Sequence, residues 1–267
     1  MRVLFVGDVV GRPGRDAVRS SVPALRSEFD AHFVIANAEN AAGGIGITPA
    51  VAAELLDSGV DALTLGNHTW AKREIAAALE RDPRILRPAN FPAGAPGRGA
   101  AVYDVAEGAI AVLSLQGRTF MDPIDDPFRV ADELLAALRA QTPVVVVDFH
   151  AEATSEKQAL AWHLDGRASA VVGTHTHVQT ADERVLEGGT ATITDVGMTG
   201  PLDSIIGFAP ECVLPRFQLR MPTRLEVAAG HSHVCAVVID IDQGSGRARS
   251  IKRIQRSAPS GAEGTAR

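Results

Sequence analysis

Cysteine is almost missing from this chain, with only Cys212 and Cys235 among 267 residues. Two thiols so far apart make neither a metal knuckle nor a disulfide framework, an economy that suits a reducing cytosol. Aromatic residues are scarce as well, at 4% with a single Tyr. The core must therefore come from Val, Leu, Ile and Ala, which suits a sheet covered by helices. Positive charge is short: 26 Lys and Arg against 32 Asp and Glu leave a formal net charge of −6. That sign gives no support to a protein that coats nucleic acid. Long apolar runs are lacking too. Only Val3-Leu4-Phe5-Val6 stand between Arg2 and Gly7-Asp8, too few for a signal peptide. No other run nears the roughly 20 residues that span a bilayer. The expectation is a cytoplasmic protein without a membrane partner.

What is present is ordinary globular composition, 46% hydrophobic and 22% charged, on a chain long enough for a sizeable core. Residues 3–6 read as a buried strand, and a helix is expected over 16–27. A second strand at 33–36 runs into Asn37-Ala38-Glu39-Asn40 and a glycine-rich loop. Thr48-Pro49 then has the N-cap and first-turn chemistry of a helix that Gly59 closes. The third strand, 61–65, stops at Gly66-Asn67-His68 before a helix reaching about residue 81. Strands are expected at 100–105 and 109–115 around a Glu107-Gly108 turn, and a helix at 128–140. The very apolar 144–147 leads to Asp148-Phe149-His150, and a helix follows at 155–165. Residues 168–172 lead to Gly173-Thr174-His175-Thr176-His177. Later strands fall near 190–194, 233–240 and 250–254. Residues 257–267 read as a disordered tail, which leaves 1–256 as a single domain.

Singly, these strand-end residues are turn chemistry. Asp8 would serve as a helix N-cap, and His175 and His177 as loop histidines facing water. Their repetition at the same end of successive strands is harder to explain that way, because open α/β sheets bind ligands beyond the carboxyl ends of their strands. Within an extended segment His175 and His177 would point the same way, as a pair of converging imidazoles. The collected set is Asp8, Glu39, Asn40, Asn67, His68, His150, His175 and His177. Carboxylate, amide and imidazole without thiolate suit Mn, Fe or Zn. One ion does not need so many ligands, whereas two ions sharing a carboxylate roughly 3.5–4 Å apart do.

Other residues carry less. Gly7, Gly11 and Gly14 fit neither phosphate-binding glycine pattern. His231-Ser232-His233 precedes its strand, so it is expected at the end of the sheet opposite the site. Arg12 and Arg15 read as solvated helix-start residues or as contacts to a substrate phosphate, and Asp195 with Thr199 as a turn or a phosphate-pocket lining.

Gly7-Asp8, Gly66-Asn67-His68, His150 and Gly173-Thr174-His175-Thr176-His177 resemble, in order, the motifs of the calcineurin-like metallophosphoesterase superfamily. Two departures stand out: Val10 occupies the place of a usual His, and Glu39 the place of a usual bridging Asp. Together with Thr194-Asp195-Val196-Gly197-Met198-Thr199-Gly200-Pro201, the Asn37-Ala38-Glu39-Asn40 segment is similar to the bacterial YmdB-type branch. That resemblance implies a four-layer α/β/β/α sandwich with two mixed sheets flanked by helices. It also implies a phosphodiesterase acting on 2′,3′-cyclic nucleotides. It assigns Asp8, Glu39, Asn40 and His177 to one metal, and Glu39, Asn67, His150 and His175 to a second, with His68 as proton donor to the leaving oxygen. Iron or manganese is the expected metal, with zinc as the alternative. One rival is an amidohydrolase, whose His-x-His follows the first strand of a barrel, where this chain has Gly7-Asp8. The other is a metal-containing regulatory or RNA-binding protein with little turnover. Oligomeric state is left open.

Overall fold

The computed structural model describes residues 1–258. The chain opens with β1 (Arg2–Val6), the two-residue β2 (Asp8–Val9) and α1 (Gly11–Glu28). Then come β3 (Phe33–Asn37), α2 (Pro49–Asp57), β4 (Ala62–Thr64), a 3-10 turn at Thr69–Ala71, α3 (Ile75–Arg81) and β5 (Ile85–Leu86). A hairpin of β6 (Ala100–Val105) and β7 (Gly108–Gln116) precedes α4 (Pro127–Arg139), β8 (Val145–His150), α5 (Thr154–His163) and β9 (Ala170–Thr174). The remainder is β10 (Arg184–Val185), β11 (Ala191–Ile193), β12 (Met198–Pro201), α6 (Pro210–Leu219), β13 (Ser232–Ile241) and β14 (Ala248–Ser257).

These strands form two mixed sheets. One runs β2-β12-β13-β1-β3-β4-β5, with β14 on β13; the other runs β10-β11-β9-β8-β7-β6. Side chains alternate across each strand, so each sheet buries both faces. In β1, Leu4 and Val6 meet the core beneath α1 and α2, whereas Val3 and Phe5 meet the layer between the sheets. In β8, Val145, Val147 and Phe149 pack toward α4 and α5, and Val146 faces the other sheet. The result is the expected α/β/β/α order of layers, and it excludes the barrel of an amidohydrolase.

The period of two also explains why polar residues meet. Asn37 follows Phe33 and Ile35 on the inter-sheet face of β3, and His150 follows Val146 on that of β8. The last inward residues of parallel strands from both sheets therefore collect at one mouth of the sandwich.

Several sequence expectations need correction. Helix α1 begins at Gly11, well before residue 16, because Pro13 is tolerated in a first turn. Strand β14 continues through Ser257, and the Ala258 N–H donates to Ser232 O at 2.8 Å, so order extends past the expected start of the tail. Residues 259–267 of that tail lie outside the described residues. The second His-x-His lies at the opposite end of the sheet from the one expected. Strand β13 runs antiparallel to β1, with Val6 opposite Ala236, so its beginning lies at the carboxyl end of β1. His233 pairs with Gly200 there, on the same side of the molecule as Asp8. Among the described residues no helix is long and apolar enough to cross a membrane.

Candidate metal centre

All eight expected residues lie at this mouth. Asp8 follows β1, Glu39 and Asn40 follow β3, and Asn67 and His68 follow β4; His150 ends β8, and His175 and His177 follow β9. Asp8, Glu39 and His150 are wholly buried and Asn40 nearly so. The Glu39, His150 and His175 ligand atoms lie within 4.8 Å of one another. Glu39 Oε1 is 3.1 Å from His150 Nε2, which also faces His175 Nδ1 at 3.0 Å and Asn67 Oδ1 at 3.0 Å. A second group adjoins it: His177 Nε2 lies 3.6 Å from Asp8 Oδ1 and 3.2 Å from Asn40 Nδ2.

Each of the three histidines has one nitrogen tied down outside the cluster and the other aimed into it. His150 Nδ1 lies 2.9 Å from Thr174 Oγ1, and that hydroxyl donates to Asp148 Oδ1 at 2.7 Å. The Thr174 hydrogen is thus committed to Asp148, so His150 Nδ1 donates to the hydroxyl and Nε2 is the nitrogen turned inward, where a cation can take the place of its proton. His175 Nε2 faces Glu152 at 3.2 Å, leaving Nδ1 inward. His177 Nδ1 donates to the Ile206 carbonyl at 2.9 Å, leaving Nε2 inward. Oriented imidazoles of this kind are how proteins hold a cation.

Electrostatics point the same way. Burial would raise the Glu39 carboxyl, but the charge and hydrogen bonds of His150 and His68 hold it well below the usual range. Burial opposes a charged His150, yet Glu39 and Asp8 push it up to about 9. Burial and the adjacent His150 push His175 down to about 3. Desolvation raises Asp8 despite His177 and His150. Its Oδ1 is buried without a hydrogen-bond partner. Two buried carboxylates, which together draw a proton onto His150 and of which Asp8 keeps an unpartnered oxygen, form a cavity short of positive charge. Metal cations of the expected kind fit that deficit and that donor set.

His68 is placed differently. Its backbone N–H donates to Glu39 Oε2 at 2.8 Å, and its Nδ1 faces Asn40 Oδ1 at 2.8 Å and Glu39 Oε1 at 3.0 Å. Two oxygens fix the proton on Nδ1, and Nε2 is left free on the partly exposed side. Asn40 turns its oxygen to His68 and its amide nitrogen to His177. Rotating the amide by 180° would exchange the two.

His175 and His177 do not share an extended face, since their φ angles are +103° and +66°. Left-handed backbone is rare outside glycine and gathers at functional sites. Gly66 shows how tight the packing is: a Cβ there would lie 2.2 Å from His150 Cδ2. Only glycine lets β4 end against that ring.

A family model described as "YmdB-like protein" matches residues 4–254. The chain belongs to the YmdB-like family. It is 55% identical over 254 residues to a Bacillus subtilis protein named 2′,3′-cyclic-nucleotide 2′-phosphodiesterase, covering 95% of this chain and 96% of that one. A crystal structure of a hypothetical protein from Thermus thermophilus superposes with a TM-score of 0.91 at 44% identity, covering 97% of this chain and 100% of the other. A phosphatase from Mycoplasma pneumoniae superposes at 0.90 with 33% identity, covering 96% and 93%.

In this YmdB-like chain the parts that sequence reading missed are the supports. Asp148, whose carboxyl burial raises to about 6, binds Thr64, Thr174 and Asn37 and anchors His150 through Thr174. Asp195 makes the expected Asp-x-Gly turn, its Oδ1 accepting the Gly197 N–H at 2.8 Å, and its other oxygen does more. Its Oδ2 accepts the Thr176 N–H at 3.0 Å, the Thr176 hydroxyl at 2.7 Å and Lys157 Nζ at 2.8 Å. This buried ion pair holds the loop on which His175 and His177 sit. Arg15 is not simply solvated either, since it pairs with Glu54 and donates to the Ala41 carbonyl, steadying the glycine-rich loop. Lys157 is hidden in a helical pattern between Glu156 and Gln158; its place on the same helix face as Leu160 and Ala161 is the signal the sequence offers.

Proposed function

We propose that this YmdB-like chain is a dinuclear metal-dependent phosphodiesterase that hydrolyses 2′,3′-cyclic nucleotides. The observation that carries the proposal is the set of three imidazoles, each held by an outer partner with one lone pair turned toward two buried carboxylates. The 55% identical relative, named for that substrate class, supplies the choice of reaction. In this reading Asp8, Glu39, Asn40 and His177 hold one ion. Glu39, Asn67, His150 and His175 hold the other, and Glu39 bridges. The donors favour manganese or iron, with zinc accommodated by the same ligand types.

When bound, such a pair supplies Lewis acidity to phosphate oxygens and acidifies water near neutral pH. The chain's own work is orientation and proton delivery. Glu39 Oε1 holds the Nδ1 proton of His68 and directs Nε2 outward, which leaves Asn40 free to turn its oxygen to the ion. From there Nε2 delivers a proton to O2′ as the P–O2′ bond breaks, since an alkoxide leaves poorly unprotonated. Water contributes hydroxyl to phosphorus and releases its other proton to solvent, from which His68 is reprotonated, and the products are the free 2′-hydroxyl and a nucleoside 3′-phosphate. The glycines at 66 and 173 permit close approach of His150 and the 194–196 segment, so the ligands cannot drift apart.

The test is turnover of 2′,3′-cyclic AMP by protein loaded with Mn²⁺, with metal content measured and products separated by chromatography. Adenosine 3′-phosphate should form, and a chelator should stop it. Protein with two bound ions per chain and no turnover would leave a metal-containing binder instead.

A further inference from the structure

Between β12 and β13 the chain makes an excursion that includes α6. Its base is closed by backbone hydrogen bonds from Leu202 to His231 and from Ala209 to Glu226. The excursion encloses a groove of about 550 Å³, within the range of small-ligand pockets. Phe208 forms part of its wall at 8% exposure, while Phe217 projects beside it at 76% and Met221 at 59%. Arg216 and Arg220 also line it, and no carboxylate does. Among the described residues the Arg220 side chain has neither an ion pair nor a hydrogen bond, although the chain as a whole is acidic. Such pairing of aromatic faces with unneutralised guanidinium groups is the chemistry that receives nucleobases and phosphates.

The groove is tied to the metal centre at two points. The Ile206 carbonyl accepts the His177 Nδ1 proton at 2.9 Å, and the Ile206 side chain lines the groove. Ile206 takes φ of +47°, a conformation that a β-branched residue adopts only under constraint. Phe208 packs on the loop after Glu39 and Asn40, where a Cβ at Gly44 would lie 2.8 Å from its ring. A ligand with an anionic end at the metal centre and a flat ring would thus find both contacts on one face.

We propose that this groove seats the nucleoside of the cyclic nucleotide substrate, with Phe217 and the Arg220 guanidinium lying against the base while the phosphate stays at the metal centre. The proposal rests on the phosphodiesterase reading above. Its test compares wild type with Phe217→Ala, Arg220→Ser and the control Trp162→Ala, an exposed aromatic on α5. KM and kcat are measured on 2′,3′-cyclic AMP, equilibrium binding on adenosine 3′-phosphate by calorimetry, and mass by light scattering. Loss of one stacking face should weaken binding about tenfold and raise KM in step, with kcat held within about twofold. Trp162→Ala should match wild type. Unchanged KM and binding in Phe217→Ala, with an active wild type, would overturn the groove alone. So would a larger assembly that Phe217→Ala turns into monomers without altering nucleotide affinity, which would make this face an interface between copies. A metal-loaded wild type that cleaves bis-p-nitrophenyl phosphate yet neither binds nor cleaves nucleotides would overturn both readings.

Discussion

Replacing Lys157 with Met tests whether the metal-binding loop depends on a charge it never displays. Lys157 and Asp195 are both almost fully buried, with side-chain exposures of 3% and 1%, and meet at 2.8 Å. Methionine fills much of the same space without the ammonium. Asp195 would keep the Thr176 N–H, the Thr176 hydroxyl and the Gly197 N–H, all at 2.7–3.0 Å. Its charge would still be uncompensated in a low-dielectric site, which costs about 3–5 kcal/mol. With a urea m-value near the upper end for small proteins, ~3 kcal/mol/M, the midpoint should fall by roughly 1–2 M. Because Asp195 positions Thr176, the loss should reach His175 and His177, and Mn²⁺ affinity should drop about 10–100-fold. The double variant Lys157→Met/Asp195→Asn removes both charges and should recover most of the stability. Urea unfolding followed by circular dichroism, with Mn²⁺ titrated by calorimetry, reads both effects. A single variant that unfolds within about 0.3 M of wild type and binds Mn²⁺ normally would refute the argument. So would a double variant no better than the single one.

Three further outcomes are expected. His68→Ala should keep its metal by elemental analysis yet lose about 10²–10⁴-fold in turnover of 2′,3′-cyclic AMP, with a much smaller loss on p-nitrophenyl esters, whose leaving group needs no proton; near-normal turnover of the cyclic nucleotide would remove His68 from its role. In metal-free protein His150 is raised from 6.5 to about 9. Its contribution is therefore complete below about pH 6.5 and is lost as pH rises through 9, by roughly 3 kcal/mol. Thermal melts of chelated protein should fall over that window, and those of metal-loaded protein should stay flatter, since a cation then stands in for the proton; parallel curves would contradict this. Burial pushes the Cys235 thiol up to about 12, so at pH 8 only about one molecule in 10⁴ carries the reactive thiolate. A thiol reagent should modify Cys212 alone in native protein and both cysteines in denaturant, and rapid double labelling of folded protein would show that Cys235 is more accessible than its burial implies.

Local pattern carried a great deal of this protein. Continuous apolar runs at 3–6, 33–36 and 144–147 mark strands buried on both faces, because no polar residue is tolerated on either side. Polar residues then punctuate strand ends, since the mouth of the sandwich is where backbone and side chain can reach a ligand. That logic, together with the order of the motifs, placed Asp8, Glu39, Asn40, Asn67, His68, His150, His175 and His177 in one region. Short elements such as β2, β5 and β10 left no comparable trace, for two residues have no period to read. Helix α6 and its groove carry too many exposed apolar residues to follow an amphipathic rule.

Pairing direction, backbone strain and buried charge were decided only by the tertiary structure. Whether His233 lies near or far from the site depends on β13 running antiparallel to β1, a choice made by strands more than 200 positions apart. The left-handed turns at His175 and His177 persist because Asp195 and Lys157 grip the loop between them, and neither residue is adjacent to it in sequence. The histidine tautomers likewise depend on Thr174, Glu152 and Ile206, contacts that no spacing encodes. A chain specifies which groups can bind a cation by their chemistry, but their lone pairs acquire a common direction only when separate strands pack and exclude water.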